Sequence, residues 1–333
     1  YVWDGRMQVH GVHPYAHAPD DPALEAYRDD VWERINHRDV PTIYTPLVEA
    51  VFFALAAVGL GPTGFQVAMG LFDFGVVVLL LLLLRARRLP EDRLVLYAWS
   101  PFAILETAGS GHMEPIGVAL VLAALLALGT ERPVRAGVAL GLAIQAKLLP
   151  LALLPGFVRR LRISAVAALI VAAVVPALPY ARTGPAVGGG LRAYAERWER
   201  NASVYAGVFA IAREIDTASR LKPWIGRAQD RFGEGVLPYD LRYRMVWPRE
   251  VAKAIVGALA LAWILWLAFR PGLDPPREAL WALGGVLLLA PTVHPWYLLW
   301  IAPLAVLVRS PGWMAWVAIV PLAYLDAGGD VPH

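Results

Sequence analysis

The sequence predicts an all-α polytopic membrane protein, and three observations carry that prediction. Of 333 residues, 58% are hydrophobic and only 17% charged, with a mean hydropathy of +0.52, whereas a soluble domain carries about 25% charge. Apolar runs close to the roughly 20 residues needed to cross a bilayer recur along the chain. Arginines gather in every second short connection between those runs, as the positive-inside rule requires of cytoplasmic loops.

Taken in order, the first apolar segment is 46–61, "PLVEAVFFALAAVGLG". It is too short to cross comfortably and carries Glu49, so it reads as a helix lying in the membrane interface. The clearest span is 64–84, "GFQVAMGLFDFGVVVLLLLLL", followed at once by "RARR". Spans near 94–108 and 115–129 come next. The run 136–158 is interrupted by Lys147, Pro150 and Pro155, so it reads as two short membrane segments with a bend. A span at 163–180, a polar stretch at 181–247, and spans near 248–269, 279–293, 296–308 and 312–325 complete the chain.

If 64–84 runs from outside to inside, the cytoplasmic connections hold Arg85, Arg87, Arg88, Arg93, Arg132, Arg135, Arg159, Arg160, Arg162, Arg270, Arg277 and Arg309. The short outer connections "GSGHMEP" and "TVHPW" then contain no Lys or Arg. The reading divides the chain into an extracytoplasmic first loop with its interfacial helix (1–63), membrane helices (64–180), a second outer loop (181–247), further membrane helices (248–325) and an outer segment from 326. It implies a multi-pass protein of the plasma (inner) membrane. The sequence looks trimmed at both ends.

Composition also excludes. A net charge of +3 gives no case for nucleic-acid binding, and the absence of cysteine removes disulfides, thiolate zinc sites and a cysteine nucleophile. No Walker loop, HExxH, GxSxG or dinucleotide fingerprint is present. Thirteen tryptophans and twelve tyrosines suit long membrane interfaces.

On the outer face the polar residues cluster. The opening "YVWDGRMQVHGVHPY" gives Asp4, Arg6, His10 and His13; "GSGHMEP" gives His112 and Glu114; the bend gives Gln145 and Lys147; "PTVHPWY" gives His294, Trp296 and Tyr297. Charge beside hydrocarbon is costly and marks sites. Each residue also has a structural reading. Asp4 is equally a solvated acid or a helix cap, Lys147 a snorkelling side chain, and the histidines partners of loop carbonyls. Asp73, deep in 64–84, reads as paired inside the bundle, and Asp20, Asp21, Asp29, Asp30 and Glu33 as a solvated face. "NAS" at 201–203 fits a glycosylation sequon.

The opening stretch, with "TIYTP", "GSGHMEP", "AIQAKLLPLALLP", "YAERWERNASVY" and "VHPWYLLW", resembles, in order and nearly end to end, the bacterial GT-C membrane glycosyltransferases. The closest group is those dependent on polyprenol-phosphate-mannose. His13 stands where the family usually has Asn, Thr45 replaces the second Pro of its "YPP", and Met113–Glu114 replace its "ND".

The resemblance implies a GT-C-like bundle of about ten transmembrane or partly spanning helices. It implies an inverting transfer of a sugar, mannose above all, from a polyprenyl-phosphate donor to a glycan, glycolipid or protein acceptor, on the extracytoplasmic side and among membrane lipids. It implies no cofactor and no metal. Asp4 is then the expected base, with Lys147, Arg6, His112, Glu114, His294 and Tyr297 binding donor phosphate or substrate. Lys147 is expected at the donor phosphate with Arg6 as a second cation, and His112 and Glu114 at substrate hydroxyls. A transporter or flippase of a lipid-linked intermediate shares the spans and the groove, but would place its site at the midplane between repeats.

Overall fold

A computed structural model describes residues 1–200, 202–232 and 245–327. Asn201 of the sequon, part of the 181–247 loop and residues 328–333 lie outside the described residues.

The described chain is helical, with no strand among the described residues beyond one bridge between Arg200 and Thr292. The helices are α1 (Val2–Val9), α2 (Pro46–Ala57), α3 (Pro62–Ala86), α4 (Pro101–Gly109), α5 (Glu114–Gly129), α6 (Pro133–Ala146), α7 (Leu149–Val158) and α8 (Ile163–Ala181). They continue as α9 (Gly189–Arg197), α10 (Val204–Glu214), α11 (Thr217–Phe232), α12 (Pro248–Phe269), α13 (Pro275–Leu289), α14 (Pro295–Val308) and α15 (Pro311–Leu325). Proline opens many of them, where its missing N–H costs nothing.

Among the described residues, α3, α8 and α12 are long and apolar enough to cross a membrane, and α4 with α5 form a pair bent by 120° that passes the same test together. On α3 the side chains divide by face. Val67, Leu71, Phe74, Val78 and Leu82 are exposed at helical spacing, while Met69, Val76, Leu80 and Leu84 are buried. An exposed stripe of large aliphatics is untenable in water and suited to acyl chains. The protein is an all-α polytopic membrane protein.

The core runs through α3, α5, α6, α13 and α14, with Leu80, Leu122, Leu140, Leu280, Leu283, Leu304 and the large Trp300 all buried. Helix α6 packs along both α5 and α8. Its "GVALG" run makes the second contact possible, because a Cβ at Gly137 would overlap the Ala165 carbonyl oxygen and one at Gly141 the Leu169 carbonyl oxygen. Small residues four apart are how membrane helices bring their backbones together.

The expected bend at Lys147 is present as a break. Helix α6 ends at Ala146 and Lys147 is extended, at φ −161° and ψ 149°. With 14 residues, α6 reaches only about 21 Å, short of the roughly 30 Å hydrocarbon core. The expected helix over 94–108 differs: the chain turns at Trp99 and restarts at Pro101. Pro101 cannot continue a preceding helix, and Ser100 caps the new one through the Ala103 amide at 3.4 Å. Its end widens into a π-type turn at Leu105–Gly109, a feature often found beside functional sites.

Ion pairs gather the connections at two ends. Arg87 bonds Asp274 at 2.8 Å and Arg160 bonds Glu278 at 2.7 Å, joining three of the arginine-bearing connections. At the other end Arg197 pairs with Asp39 at 2.5 Å and Thr292 donates to the Trp198 carbonyl at 2.7 Å. Asp73 lies on neither set of loops. It accepts from the Tyr97 hydroxyl at 2.6 Å inside the bundle.

Candidate active site

At the end where the arginine-bearing connections are absent, a cavity of about 1760 Å³ opens between the first loop, the α4–α5 turn, the α6–α7 break, α9 and the α13–α14 turn. Small-molecule pockets run to about 300–1,000 Å³, so this one is sized for more than a free sugar. Its walls include Phe102, Leu105, Val256, Leu287 and Leu289, an apolar lining reaching towards the hydrocarbon helices α4, α12 and α13.

Asp4, Lys147, His112, Glu114, His294 and Tyr297 all line it. Four separate segments thus deliver their polar residues to one space. Arg6 does not join them: two residues beyond Asp4, it lies on the opposite side of α1 and bonds Asp29 at 2.5 Å, and Asp29 in turn caps the short helix Asp30–Glu33.

Asp4 is placed by the docking of α1 on α2. Gly5 faces α2 so closely that a Cβ would overlap the Phe52 carbonyl oxygen, which gives the "DGR" triplet its physical reason. Trp3 is buried and Tyr1 stacks on Phe52 at 4.8 Å, edge-on to Tyr44 at 5.0 Å. The Asp4 side chain is 18% exposed, and burial pushes its carboxyl above the usual aspartate value.

Lys147 projects from the helix break. Its Nζ lies 2.7 Å from Glu114 Oε1 and 3.5 Å from the centroid of the Tyr297 ring, whose hydroxyl bonds that of Tyr194 at 2.6 Å. Thr45 secures this break to the first loop, donating to the Gln145 carbonyl and, at 3.1 Å, to that of Ala146. Glu114 is 2% exposed, and its second oxygen makes no hydrogen bond to the protein. It therefore holds Lys147 with one oxygen and leaves the other facing the cavity without a protein partner, and the sequence did not suggest the pairing with Lys147.

Both histidines stack on Trp296, His112 at 4.2 Å and His294 at 4.4 Å. His112 Nδ1 also meets the buried Glu106 carboxylate at 3.0 Å, whose other oxygen accepts from Tyr324 at 2.7 Å. Burial, followed by the Lys147 and Arg200 charges, pulls His294 down to about 4, so its imidazole is neutral at physiological pH and serves as a hydrogen-bonding wall.

Sequence reasoning missed Arg200 and Glu106. Arg200 lines the cavity and is pinned by backbone bonds to Pro291 (3.2 Å) and Val293 (2.8 Å), beside His294. No three His, Asp or Glu side chains come together as a metal site among the described residues.

Residues 43–295 match the model of glycosyltransferase family 87, a segment that holds Lys147, His112, Glu114, Arg200 and His294 but begins after Asp4. A stretch of 78 residues is 40% identical to a protein of Mycolicibacterium smegmatis (strain ATCC 700084 / mc(2)155) named "Probable alpha-(1->6)-mannopyranosyltransferase", covering 22% of this chain and 14% of that one. The chain thus matches only a small part of that relative's length. No solved structure matches it significantly. The family match spans well over half of the sequence and contains the helix break, both histidine turns and most of the cavity wall: the chain belongs to glycosyltransferase family 87.

Proposed function

We propose that the protein is an inverting glycosyltransferase that moves a sugar, mannose first among candidates, from a polyprenyl-phosphate donor to an acceptor hydroxyl at the extracytoplasmic face of the plasma membrane. The observation that carries this reading is a half-buried acid, Asp4, and a fixed cation, Lys147, on the wall of one large cavity with apolar sides. The mannopyranosyl name of the partial relative supports the choice of sugar.

The donor arrives activated, its anomeric carbon already bonded to a phosphate whose lipid tail suits the apolar walls. The acceptor oxygen attacks that carbon from the face opposite the phosphate and passes its proton to Asp4, while the bond to phosphate breaks and the polyprenyl phosphate leaves with the electron pair. A positioned base contributes about 10²–10⁴-fold. Lys147 has three N–H donors; Glu114 takes one, and another meets the departing phosphate, whose charge grows as the bond breaks. Arg200 supplies the second cation, the place that Arg6 leaves open by pairing with Asp29. His112, the free oxygen of Glu114 and the Trp296 face hold the sugar.

The test is transfer of label from radiolabelled polyprenyl-phosphate mannose in membranes carrying wild type or Asp4→Asn. Label should reach acceptor only with wild type, and the product should show inversion. Donor that crosses the membrane with its sugar still attached would instead indicate a flippase.

A further inference from the structure

Glu106, which the proposed chemistry does not use, is buried beside His112. It is 4% exposed, and no Lys or Arg pairs with it among the described residues. Its Oε1 accepts from the Tyr324 hydroxyl at 2.7 Å, and its Oε2 lies 3.0 Å from His112 Nδ1 with no hydrogen bond of its own. The widened turn at the end of α4 delivers a third oxygen. There the Ser110 amide reaches back to the Leu105 carbonyl at 2.7 Å, and Gly111, at φ +74°, turns the chain. The Glu106 carbonyl, which a regular helix would close with Ser110, is left to His112. It accepts both the His112 backbone amide and the ring Nδ1 at 3.1 Å.

These contacts decide the tautomer of the imidazole. A backbone carbonyl only accepts, so Nδ1 carries the hydrogen, and the neutral ring keeps a bare lone pair on Nε2. Nε2 has no hydrogen bond among the described residues. The ring stands on the cavity wall, its side chain 17% exposed, and stacks on Trp296 at 4.2 Å. A lone pair accepts from a hydroxyl and repels the oxygens of a phosphate. His112 is therefore suited to a hydroxyl, and the donor phosphate is left to Lys147.

We propose that Glu106 and Tyr324 are positioning residues that fix His112 as its Nδ1–H tautomer, so that Nε2 accepts a hydrogen bond from a sugar hydroxyl in the cavity. Tyr324 holds Oε1, which keeps Oε2 beside Nδ1, and the Glu106 carbonyl takes the ring hydrogen. The inference rests on the reading of the cavity as a glycosyltransferase site.

The test uses the full-length protein in detergent, with folding checked by thermal melting and transfer followed from polyprenyl-phosphate mannose. Nitrogen NMR of isotope-labelled histidine is taken at neutral pH without substrate, and the His112 signal is the one missing from His112→Gln. It should show a hydrogen on Nδ1 and none on Nε2. Glu106→Gln sets an amide N–H against the ring N–H, so the tautomer should shift. Its kcat/KM should fall about 5–150-fold, the effect of a polar group left unsatisfied. Tyr324→Phe keeps the aromatic ring and should lose less, in the same direction. In a His112→Ala background neither substitution should lose anything further, because both act through the imidazole. A merely structural role would add its loss to that of His112→Ala. A hydrogen on Nε2 in wild type, Glu106→Gln at the wild-type rate, or losses that add to that of His112→Ala each overturns the proposal. Wild type that transfers no sugar defeats the glycosyltransferase reading instead, and the spectrum still decides the tautomer.

Discussion

The Lys147 ammonium lies 2.7 Å from Glu114 Oε1, with Glu114 2% exposed and Lys147 28%. The pair joins the α6–α7 break to the start of α5, so it is structural as well as chemical. Removing one partner of a buried pair strands the other at about 3–5 kcal/mol.

This double role sets the first prediction. Lys147→Ala should lower kcat/KM on the order of 10–150-fold, the worth of a charge-assisted contact, and should also melt earlier. Adding Glu114→Gln removes the stranded charge, so the double variant should regain stability and stay slow. Recovery of both together would mean that Lys147 acts only through folding, and melting curves beside transfer assays separate the cases.

A second prediction follows from the contact of Gly5 with α2. Gly5→Ala places a methyl against the Phe52 carbonyl, and overpacking of this kind costs about 1–3 kcal/mol. The helix must lift, carrying Asp4 with it. A displacement near 1 Å can cost about 10²-fold in rate. Transfer should fall by at least an order of magnitude with donor binding little changed, as measured by kcat and KM in purified protein.

How much of this was legible beforehand varies with what each residue costs. Lys147 and the acids and histidines of the outer turns stood out because charge beside an apolar run is expensive, and the break at Lys147 follows from the prolines that come after it. The grouping into one face followed from the arginine alternation alone. Arg200 gave no such signal, since it sits in a polar stretch where one more cation is unremarked; only its backbone pairing with the α13–α14 turn brings it to the cavity. Glu49 was visible as an acid in an apolar segment, yet its partner Gln8 reaches it only through the docking of α1 on α2, and no local pattern encodes that. Arg6 was misplaced for a similar reason: two residues beyond Asp4 it faces the opposite side of α1 and pairs with Asp29 instead.

Orientation gives the third prediction. Ala86 ends α3 among the arginines and Arg192 lies on α9, and both are exposed. The chain has no native cysteine, so single cysteines report cleanly. Arg192→Cys should react with an impermeant maleimide on intact cells, and Ala86→Cys only after permeabilisation. Equal reaction of both on intact cells would overturn the assigned sidedness.

His294 yields a fourth. The folded protein holds it near 4, against an ordinary value of 6.5, chiefly through burial. Between those values the unfolded chain binds more protons than the folded one, so stability rises with pH across the window. The contribution is complete above about pH 6.5 and is lost as pH falls towards about 4. His294→Gln has no such proton to take up, and its melting temperature should decline less than that of wild type between those pH values. Parallel declines would remove His294 as the cause.

The last prediction concerns the acid limb of catalysis. A base must be ionised to accept a proton, so kcat/KM should fall as pH drops through the Asp4 pKa in the free enzyme. Burial raises that value above 3.8, and the limb should therefore lie at higher pH than an exposed aspartate would give. Asp4→Asn cannot ionise, so its residual transfer, lower by at least two orders of magnitude, should lack this limb altogether. Product analysis completes the argument, because single displacement by an acceptor oxygen inverts the anomeric carbon and a β-linked lipid donor should yield an α-linked product. A limb that survives unchanged in Asp4→Asn would place the titrating base elsewhere in the cavity, and a retained anomer would require a covalent intermediate in place of the base assigned to Asp4.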